Sequence, residues 1–157
     1  MAVVLGACGG QEAPDPQVAR SEANRAVVSR FIEEFKNNAN AGIVDELFTP
    51  GFVHHLPDPR LPAGKEGLKL VGQSITAGFP DVQVTVNDLL ADGDKVIERT
   101  TARATHTGEF NGIPPSGTAV TWTEIHIYRL ENGKIAEMWS EIDLLGLLIQ
   151  LGAVPSP

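Results

Sequence analysis

The residues best suited to proton-transfer chemistry lie close together, between positions 118 and 143. Two stretches there alternate polar and apolar residues, and Asn132-Gly133 separates them. This pattern predicts two half-buried antiparallel strands joined by a tight turn. Alternate residues of a strand share a face, so one face of each strand is rich in charged and aromatic side chains. The residues concerned are Trp122, Glu124, His126 and Tyr128 on the first strand, then Trp139, Glu141 and Asp143 on the second.

Carboxylates and an imidazole among aromatic rings are unusual on a solvent face, so we place both groups on one inward face that lines a pocket. Burial raises the pKa of a carboxyl group, and its carboxylate then becomes a base strong enough to remove a proton from a carbon flanked by carbonyls. The enolate that forms needs a hydrogen-bond donor already in place. The donor candidates are His126, His55 and Arg99.

Each candidate also has a purely structural interpretation. Asp143 could cap a helical turn over residues 144–151, and His126, which lies between two isoleucines, could be a core histidine with satisfied hydrogen bonds. Glu124 and Glu141 either line the cavity or form ion pairs with arginines. The arginine candidates are Arg99 and Arg103, and the two tryptophans, Trp122 and Trp139, fill space in either case.

Two other histidines follow each other directly. A strand would point His54 and His55 to opposite sides, and we predict that His55 faces inward. His106 precedes a loop and is expected to be half-exposed. Since no pair of candidate ligands has the helical spacing of a metal site, we predict no metal.

Length and composition narrow the class of protein. The chain has 157 residues, enough for one domain with a substantial core. Its net charge of −8 disfavours nucleic acid as a partner, because phosphate binding needs a cationic surface. A single cysteine excludes an internal disulfide framework.

That cysteine, Cys8, ends the run Leu5-Gly6-Ala7-Cys8, which resembles a bacterial lipobox. The basic region and the full apolar run of an export signal are missing, so either the true start lies upstream or the match is accidental. We expect residues 1–20 to be a disordered, lipoprotein-like tail and residues 21–157 to form the domain. The protein is then exported and membrane-anchored through a lipid on Cys8, and otherwise it is cytoplasmic.

Hydrophobic residues at helical spacing predict three helices ahead of most of the strands. The first covers residues 22–36, the second is capped by Asn40 and carries Phe48, and the third covers residues 65–78. A short extended piece, residues 52–55, lies between the second and third helices.

Strands dominate the second half of the chain. Valines alternate with polar residues from position 82, Asp92-Gly93 marks a turn, and residues 95–107 form a long strand. The apolar segment 144–151 is too short to span a membrane and is expected to pack as a last helical turn over the barrel mouth or across a dimer. The order predicts an α+β fold in which a curved antiparallel sheet wraps around the N-terminal helices as a cone-shaped barrel.

The run from Gly108 to Gly152, which includes GEFNGIPPSG and WSEIDLLGLLIQLG, resembles the SnoaL-like polyketide cyclases. These proteins are also called ester cyclases and belong to the nuclear transport factor two-like superfamily. Supporting motifs are F-x-x-H at residues 52–55, F-P-D at 79–81 and T-H-T-G-E-F at 105–110. The resemblance covers roughly residues 24–152.

The resemblance implies a cone-shaped α+β barrel that is dimeric or tetrameric and uses no cofactor. It implies an intramolecular aldol condensation that closes a polyketide ring. The acidic residue on the last strand of such enzymes matches Asp143, and a histidine on the preceding strand matches His126.

We therefore expect a homodimer that performs acid/base chemistry, either aldol cyclisation or isomerisation, on a small hydrophobic carbonyl compound. Asp143 would be the base, and His126 would orient the substrate or donate a hydrogen bond. Residues expected to contact the substrate are His55, Arg99, Trp122, Glu124, Trp139 and Glu141. The alternative is a non-catalytic small-molecule-binding module, as an exported lipoprotein.

Overall fold

The computed structural model describes residues 15–55 and 60–155. The helices there are Pro16–Phe31 (α1), Ile43–Leu47 (α2), Gly64–Gly78 (α3) and Leu144–Gln150 (α4), with a π-helical turn at Ile32–Asn37. The strands are Phe48–His55 (β1), Gln83–Asp92 (β2), Lys95–Thr105 (β3), Ala119–Glu131 (β4) and Lys134–Ile142 (β5). None of the helices in this part of the chain combines the length and apolarity needed to cross a membrane.

The first helix begins earlier than the sequence pattern indicated. Pro16 occupies the first turn, where its missing N–H costs nothing, and the Asp15 carboxylate accepts a hydrogen bond from the Gln17 N–H at 2.7 Å. Residues 16–20, which we expected in the tail, therefore belong to α1. The lipobox-like segment around Cys8 lies outside the described residues.

The second helix is shorter than expected. Asn40 does not cap it directly; its side-chain oxygen accepts a hydrogen bond from the Gly42 N–H at 3.2 Å and closes the turn that precedes Ile43. Phe48, which we placed on the helix, already has extended backbone angles and begins β1. Pairing with β5 accounts for this difference, because Phe48 lies beside Ile135 in the sheet.

The strands form one curved, five-stranded sheet in the order β1-β5-β4-β3-β2. The three pairs among β2, β3, β4 and β5 are antiparallel, as predicted, but β1 pairs with β5 in parallel. Strand β1 is separated from β5 by α3 and three further strands, and such long connections allow parallel pairing. The α+β class is confirmed, whereas the sheet is mixed and does not close into a barrel.

The hairpin between β4 and β5 has the predicted tight turn. Asn132 and Gly133 both have positive φ, 50° and 75°, as a two-residue type I′ turn requires. A β-bulge interrupts the ladder beside the turn: Leu130 pairs with Ile135 but Arg129 pairs with Glu137, so β5 has one extra residue there. This single irregularity shifts the register of the strand that follows.

Two apolar clusters fill the space between the helices and the inner face of the sheet. The first cluster surrounds α1 and includes Phe31, Phe48 and Tyr128. The second cluster lies toward α4 and includes Phe79, Trp122 and Leu147. Aromatic rings within each cluster contact one another at centroid distances near 5 Å, such as the 5.0 Å between Phe31 and Phe48.

Candidate functional site

The inner face of β4 changes character along its length. Val120 and Trp122 belong to the second apolar cluster, and Tyr128 and Leu130 belong to the first. Between the two pairs, Glu124 and His126 also face inward. The polar side chains expected to do chemistry therefore lie between two apolar walls.

Lys36 neutralises part of the charge in this region. Its Nζ atom lies 2.6 Å from Glu98 Oε1 and 3.0 Å from Glu124 Oε2, and the Glu98 side chain is fully buried. Lys36 lies in the π-helical turn after α1, a feature that often marks functional sites. Burial favours the neutral amine, but the two carboxylates outweigh it and raise the pKa of Lys36 above its ordinary value.

Glu124 is held ionised by its surroundings. Burial favours its protonated form, but the Lys36 ammonium, His126 and the Trp122 N–H together lower the pKa of the Glu124 carboxyl well below its usual range. Trp122 Nε1 donates to Glu124 Oε1 at 2.8 Å. Glu124 is thus a permanent anion and hydrogen-bond acceptor at neutral pH.

His126 links Glu124 to the neighbouring strand. Its Nε2 atom lies 2.9 Å from Glu124 Oε2, and its Nδ1 atom lies 2.9 Å from Ser140 Oγ on β5. The same Ser140 Oγ lies 3.0 Å from His54 Nε2 on β1. Three strands therefore contribute to one unbroken chain of polar contacts.

The far end of the network is closed by neutral groups. The Tyr128 hydroxyl donates to Glu98 Oε2 at 2.5 Å, and the Thr100 hydroxyl donates to Glu98 Oε1 at 3.2 Å. Burial and the nearby Glu98 charge raise the pKa of Tyr128 well above its ordinary value. We call the whole set the inner network: Lys36, His54, Glu98, Thr100, Trp122, Glu124, His126, Tyr128 and Ser140.

The inner network also has the composition of a possible metal site. Glu98, Glu124 and His126 bring three potential ligand atoms within 4.8 Å of one another. The Lys36 ammonium, however, is bonded to both carboxylates and supplies the positive charge that they need. We therefore assign the cluster as a buried ion pair and name no metal ligands.

The second strand of the hairpin presents the opposite face from the one expected. Trp139 pairs with Ile127, and Glu141 pairs with the exposed Ile125, so both side chains lie on the outer face. A regular ladder from the Asn-Gly turn would have placed them opposite His126 and Glu124. The bulge adds one residue, and a shift of one residue exchanges the two faces of a strand.

Asp143 lies beyond the end of β5 and is exposed. Its side chain accepts a hydrogen bond from the Gly146 N–H at 2.9 Å and caps α4. The structural interpretation of this residue is therefore correct, and the carboxylate is not buried. Its assignment as a base stays a prediction.

The orientation predicted for two further residues is wrong. His55 points outward, where its ring stacks on Trp139 at a centroid distance of 4.5 Å and its Nε2 lies 2.9 Å from Glu137. Its neighbour His54 takes the inward position. Arg99 also lies on the outer face, half-exposed and paired with Asp88 at 2.6 Å rather than with Glu124.

His106 is fully buried, not half-exposed. Its Nδ1 accepts a hydrogen bond from the Ser116 N–H at 3.3 Å and lies 3.1 Å from the Ser116 hydroxyl. Its Nε2 is buried without a partner in the described residues. This histidine forms a second Ser–His pair, separate from the inner network.

The sequence profile of the SnoaL-like polyketide cyclases matches residues 26–151, which is most of the chain. The chain belongs to the SnoaL-like polyketide cyclase family. No protein with a curated description matches it.

Several solved structures resemble the chain over most of its length. IdmH from Streptomyces antibioticus, a proposed polyketide cyclase, is 36% identical, with a TM-score of 0.71 over 82% of this chain and 98% of IdmH. AclR from Streptomyces galilaeus, a proposed hydroxylase, is 28% identical, with a TM-score of 0.78 over 87% of this chain and 85% of AclR. A proposed SnoaL-like polyketide cyclase from Jannaschia sp. CCS1 is 26% identical, with a TM-score of 0.77 over 92% and 99% of the two chains.

Six residues of this SnoaL-like chain's inner network were not predicted as site residues, although Tyr128 was placed on the inward face: Lys36, His54, Glu98, Thr100, Tyr128 and Ser140. Glu98 alternates with Val96 and Thr100, so its inward direction was readable from the long β3 pattern. Lys36 carried no such signal, because the π-helical turn, not the α-helical period, points it inward.

Two cavities in the described part of the chain lie away from the inner network. One, of about 500 Å³, opens on the outer side between β1 and the β4–β5 hairpin and contacts Val53, Arg129 and Lys134. The other, of about 250 Å³, lies between Phe35 and α3. Both cavities contact residues next in sequence to the inner network: Phe35 precedes Lys36, and Val53 precedes His54.

Proposed function

We propose that this SnoaL-like protein performs cofactor-independent acid/base chemistry, an aldol cyclisation or isomerisation, on a small hydrophobic carbonyl compound. The observation that supports the proposal most directly is a buried imidazole, His126, hydrogen-bonded at 2.9 Å to the permanently ionised Glu124. Family membership and the similarity to the proposed cyclase IdmH support the carbonyl substrate class.

The geometry of the inner network places His126 beside an ionised carboxylate, Glu124. Glu98 and Glu124 contribute two negative charges and Lys36 contributes one positive charge, so one negative charge remains. A neutral His126 can therefore act as base, and Glu124 stabilises the imidazolium that results.

Asp143 remains the rival base, since the family resemblance points to it. The two assignments differ in burial: the Asp143 carboxylate is exposed at the start of α4, whereas His126 is 3% exposed. A water-excluded group is better placed to take a proton from an apolar substrate. We therefore give the role of base to His126.

Proton removal can be measured without knowledge of the natural substrate. In D₂O, an active protein should accelerate exchange of the α-protons of 2-tetralone, a small bicyclic ketone, as followed by proton NMR. His126→Gln should lower the accelerated rate by on the order of a hundredfold, the usual contribution of a general base. Glu124→Gln should lower it less, because the imidazole itself remains.

Asp143→Asn is the matched variant for the rival assignment. We expect it to retain the exchange rate, because an asparagine still caps α4. Loss of exchange in Asp143→Asn, with exchange retained in His126→Gln, would transfer the role of base to Asp143. Folding of each variant is checked by near-UV circular dichroism, which reports on the two tryptophans.

A non-catalytic binding module is the second candidate. The observation in its favour is that the hydrogen bonds of the inner network are satisfied internally, as expected for a rigid structural core. If the protein binds 2-tetralone, as shown by quenching of Trp122 fluorescence, but does not accelerate exchange even at saturation, this alternative holds.

We further propose that the protein is a homodimer formed through the outer sheet face. Leu90, Ile97, Ile127 and Trp139 lie opposite one another across four strands and form an apolar row, and Leu90 and Ile97 are exposed. Arginines on β3 and carboxylates on β5 flank the row, so a two-fold arrangement can place opposite charges together. Ile97→Lys should convert a dimer into a folded monomer in analytical ultracentrifugation; a monomeric wild type contradicts the proposal.

Export as a lipoprotein is a separate proposal that rests on the Leu5–Cys8 motif alone. Mass spectrometry of protein expressed from an upstream start would reveal a lipid on Cys8. An unmodified, intracellular product contradicts it.

A further inference from the structure

The position of Ser140 between two imidazoles restricts the protons of the inner network. Its Oγ lies 2.9 Å from His126 Nδ1 and 3.0 Å from His54 Nε2. A serine hydroxyl has one hydrogen to donate, so it can donate to one of these nitrogens and must accept from the other. One of the two facing nitrogens therefore carries a hydrogen, and the other does not.

The contact of His126 with Glu124 determines which nitrogen of the His126 ring carries a hydrogen. An ionised carboxylate can only accept, so His126 Nε2 always carries a hydrogen and donates it to Glu124. If His126 is neutral, its Nδ1 is bare, and Ser140 donates to it while accepting from His54 Nε2. If His126 is an imidazolium, the order reverses, and Ser140 donates to a bare His54 Nε2.

We propose that His54 and Ser140 form the relay through which protons reach and leave His126. A proton that binds His54 Nδ1 allows the Nε2 proton of His54 to move to Ser140, and the Ser140 proton to move to His126 Nδ1. The balance is one proton gained: His54 changes from its Nε2–H to its Nδ1–H tautomer, Ser140 keeps one hydrogen, and His126 becomes charged. The reverse sequence releases the proton at His54.

The other hydrogen-bond donors near His126 do not readily exchange protons with it, so the route through Ser140 and His54 remains. Lys36 and Tyr128 both have raised pKa values and hold their protons, and the indole of Trp122 does not exchange protons readily. His54 is half-buried, whereas His126 and Ser140 are 3% and 8% exposed. The relay thus ends at its most accessible member, on β1 at the edge of the sheet.

The relay deepens the proposed function, since it supplies the proton that His126 exchanges during catalysis. His54 and Ser140 are then relay residues, and His126 remains the base. The side chains that face His54 are Phe52, His126 and Ser140, and the charge of the outward-pointing His55 also acts on it, so all four must be present in any test of its proton affinity.

The test uses the full chain labelled with ¹⁵N and needs no substrate. Long-range ¹H–¹⁵N NMR reports the tautomers, and we expect the hydrogen of both neutral imidazoles on Nε2. Broadening of the His126 ring signals, at the midpoint of that residue's own titration, reports how fast it gains and loses its proton. Ser140→Ala should slow this step roughly tenfold, because proton transfer then waits on local opening of the fold.

Three further variants make this test specific. Ser140→Thr retains the hydroxyl and should restore the rate. Ser116→Ala removes the hydroxyl of the other Ser–His pair, next to His106, and should leave His126 unaffected. His54→Phe should slow proton exchange at His126 as Ser140→Ala does. It replaces Ser140→Ala as the test variant if that protein does not fold.

An unchanged or faster rate in Ser140→Ala and His54→Phe overturns the relay, and so does a neutral His126 with its hydrogen on Nδ1. Failure of the proposed function is distinguishable from failure of the relay. A protein that does not accelerate α-proton exchange, yet shows a hydroxyl-dependent rate at His126, retains the relay. A protein that accelerates exchange while Ser140→Ala leaves the His126 rate unchanged loses only the relay.

Discussion

Two neighbouring rungs of the same sheet have opposite chemistry. One rung joins Glu98, His126 and Ser140 on β3, β4 and β5, and these side chains point inward. The next rung joins Ile97, Ile127 and Trp139 on the same strands, and these side chains point outward. A one-sided antiparallel sheet usually buries its apolar residues and exposes its polar ones, so this part of the sheet is inverted.

The inversion shows that the two faces are stabilised in different ways. The inner rung is stable only because every charge has a partner, since an unpaired buried charge costs several kcal/mol. The outer rung needs no partner to remain folded, although its apolar row leaves a surface suited to a second copy of the chain. Substitutions on the inner rung should therefore be costly, and comparable ones on the outer rung should be mild.

Substitution of Lys36 is expected to have the largest effect on the free energy of unfolding. Lys36→Met leaves two buried carboxylates without their cation and should lower the free energy of unfolding by about 3–5 kcal/mol. Urea denaturation measures this value. Lys95→Met, on the exposed side of β3, is the control and should change stability by about 0.5 kcal/mol or less.

The double variant Lys36→Met with Glu124→Gln should recover part of the loss, because one of the unpaired charges is gone. A cost below about 1 kcal/mol for Lys36→Met would mean that the inner rung behaves like a solvated surface pair. The predicted difference in the cost of substitution between the two faces would then be wrong.

The two tryptophans compare the faces with the same residue type. Trp122 is 2% exposed and donates to Glu124, so Trp122→Ala should cost about 3–5 kcal/mol. Trp139 is half-buried on the outer face against His55, and Trp139→Ala should cost about 1 kcal/mol. Thermal unfolding at one protein concentration gives both values; equal costs would contradict the difference.

The titration of His54, on the inner face, should have a smaller effect, seen as a dependence of stability on pH. Burial, together with the His126 and His55 charges, lowers the pKa of His54 from 6.5 to about 4. Between these pH values the unfolded chain binds the proton more tightly than the folded one. The contribution of His54 is therefore complete above about pH 6.5 and is lost as pH falls toward 4.

His54→Gln should reduce the slope of stability against pH in this window, because the group that titrates has been removed. The measurement is urea denaturation of both proteins at several pH values. An identical slope in the variant and the wild type would show that His54 is not buried as the structure has it.

The sequence pattern was sufficient for most of the fold and for three of the nine residues of the inner network. Period-two alternation placed Trp122, Glu124 and His126 on one face, and the Asn-Gly pair located the turn, because both depend on neighbours along the chain. The face of β5 was not predictable in this way. A one-residue bulge beside the turn reversed it, and bulges depend on packing between strands.

The same limit applies to residues that meet across long separations. Lys36 and Glu98 are 62 positions apart, and His54 and Ser140 are 86 positions apart. No local periodicity relates such pairs, since their contact depends on the order of the strands. Parallel pairing of β1 with β5, which the sequence did not suggest, is what brings His54 to Ser140.

The smallest effect is expected at Asp143, the residue that the family resemblance ranked first. Asp143→Ala removes the cap of α4 and should cost about 1 kcal/mol, whereas Asp143→Asn should cost only a few tenths of a kcal/mol, because asparagine caps equally well. Chemical denaturation separates these values. A cap and a base differ in their response to the asparagine variant: the cap tolerates it, and a base loses its function. If Asp143→Asn is as stable as the wild type but no longer accelerates α-proton exchange, the chemistry lies at the exposed end of β5, and the inner network is structural.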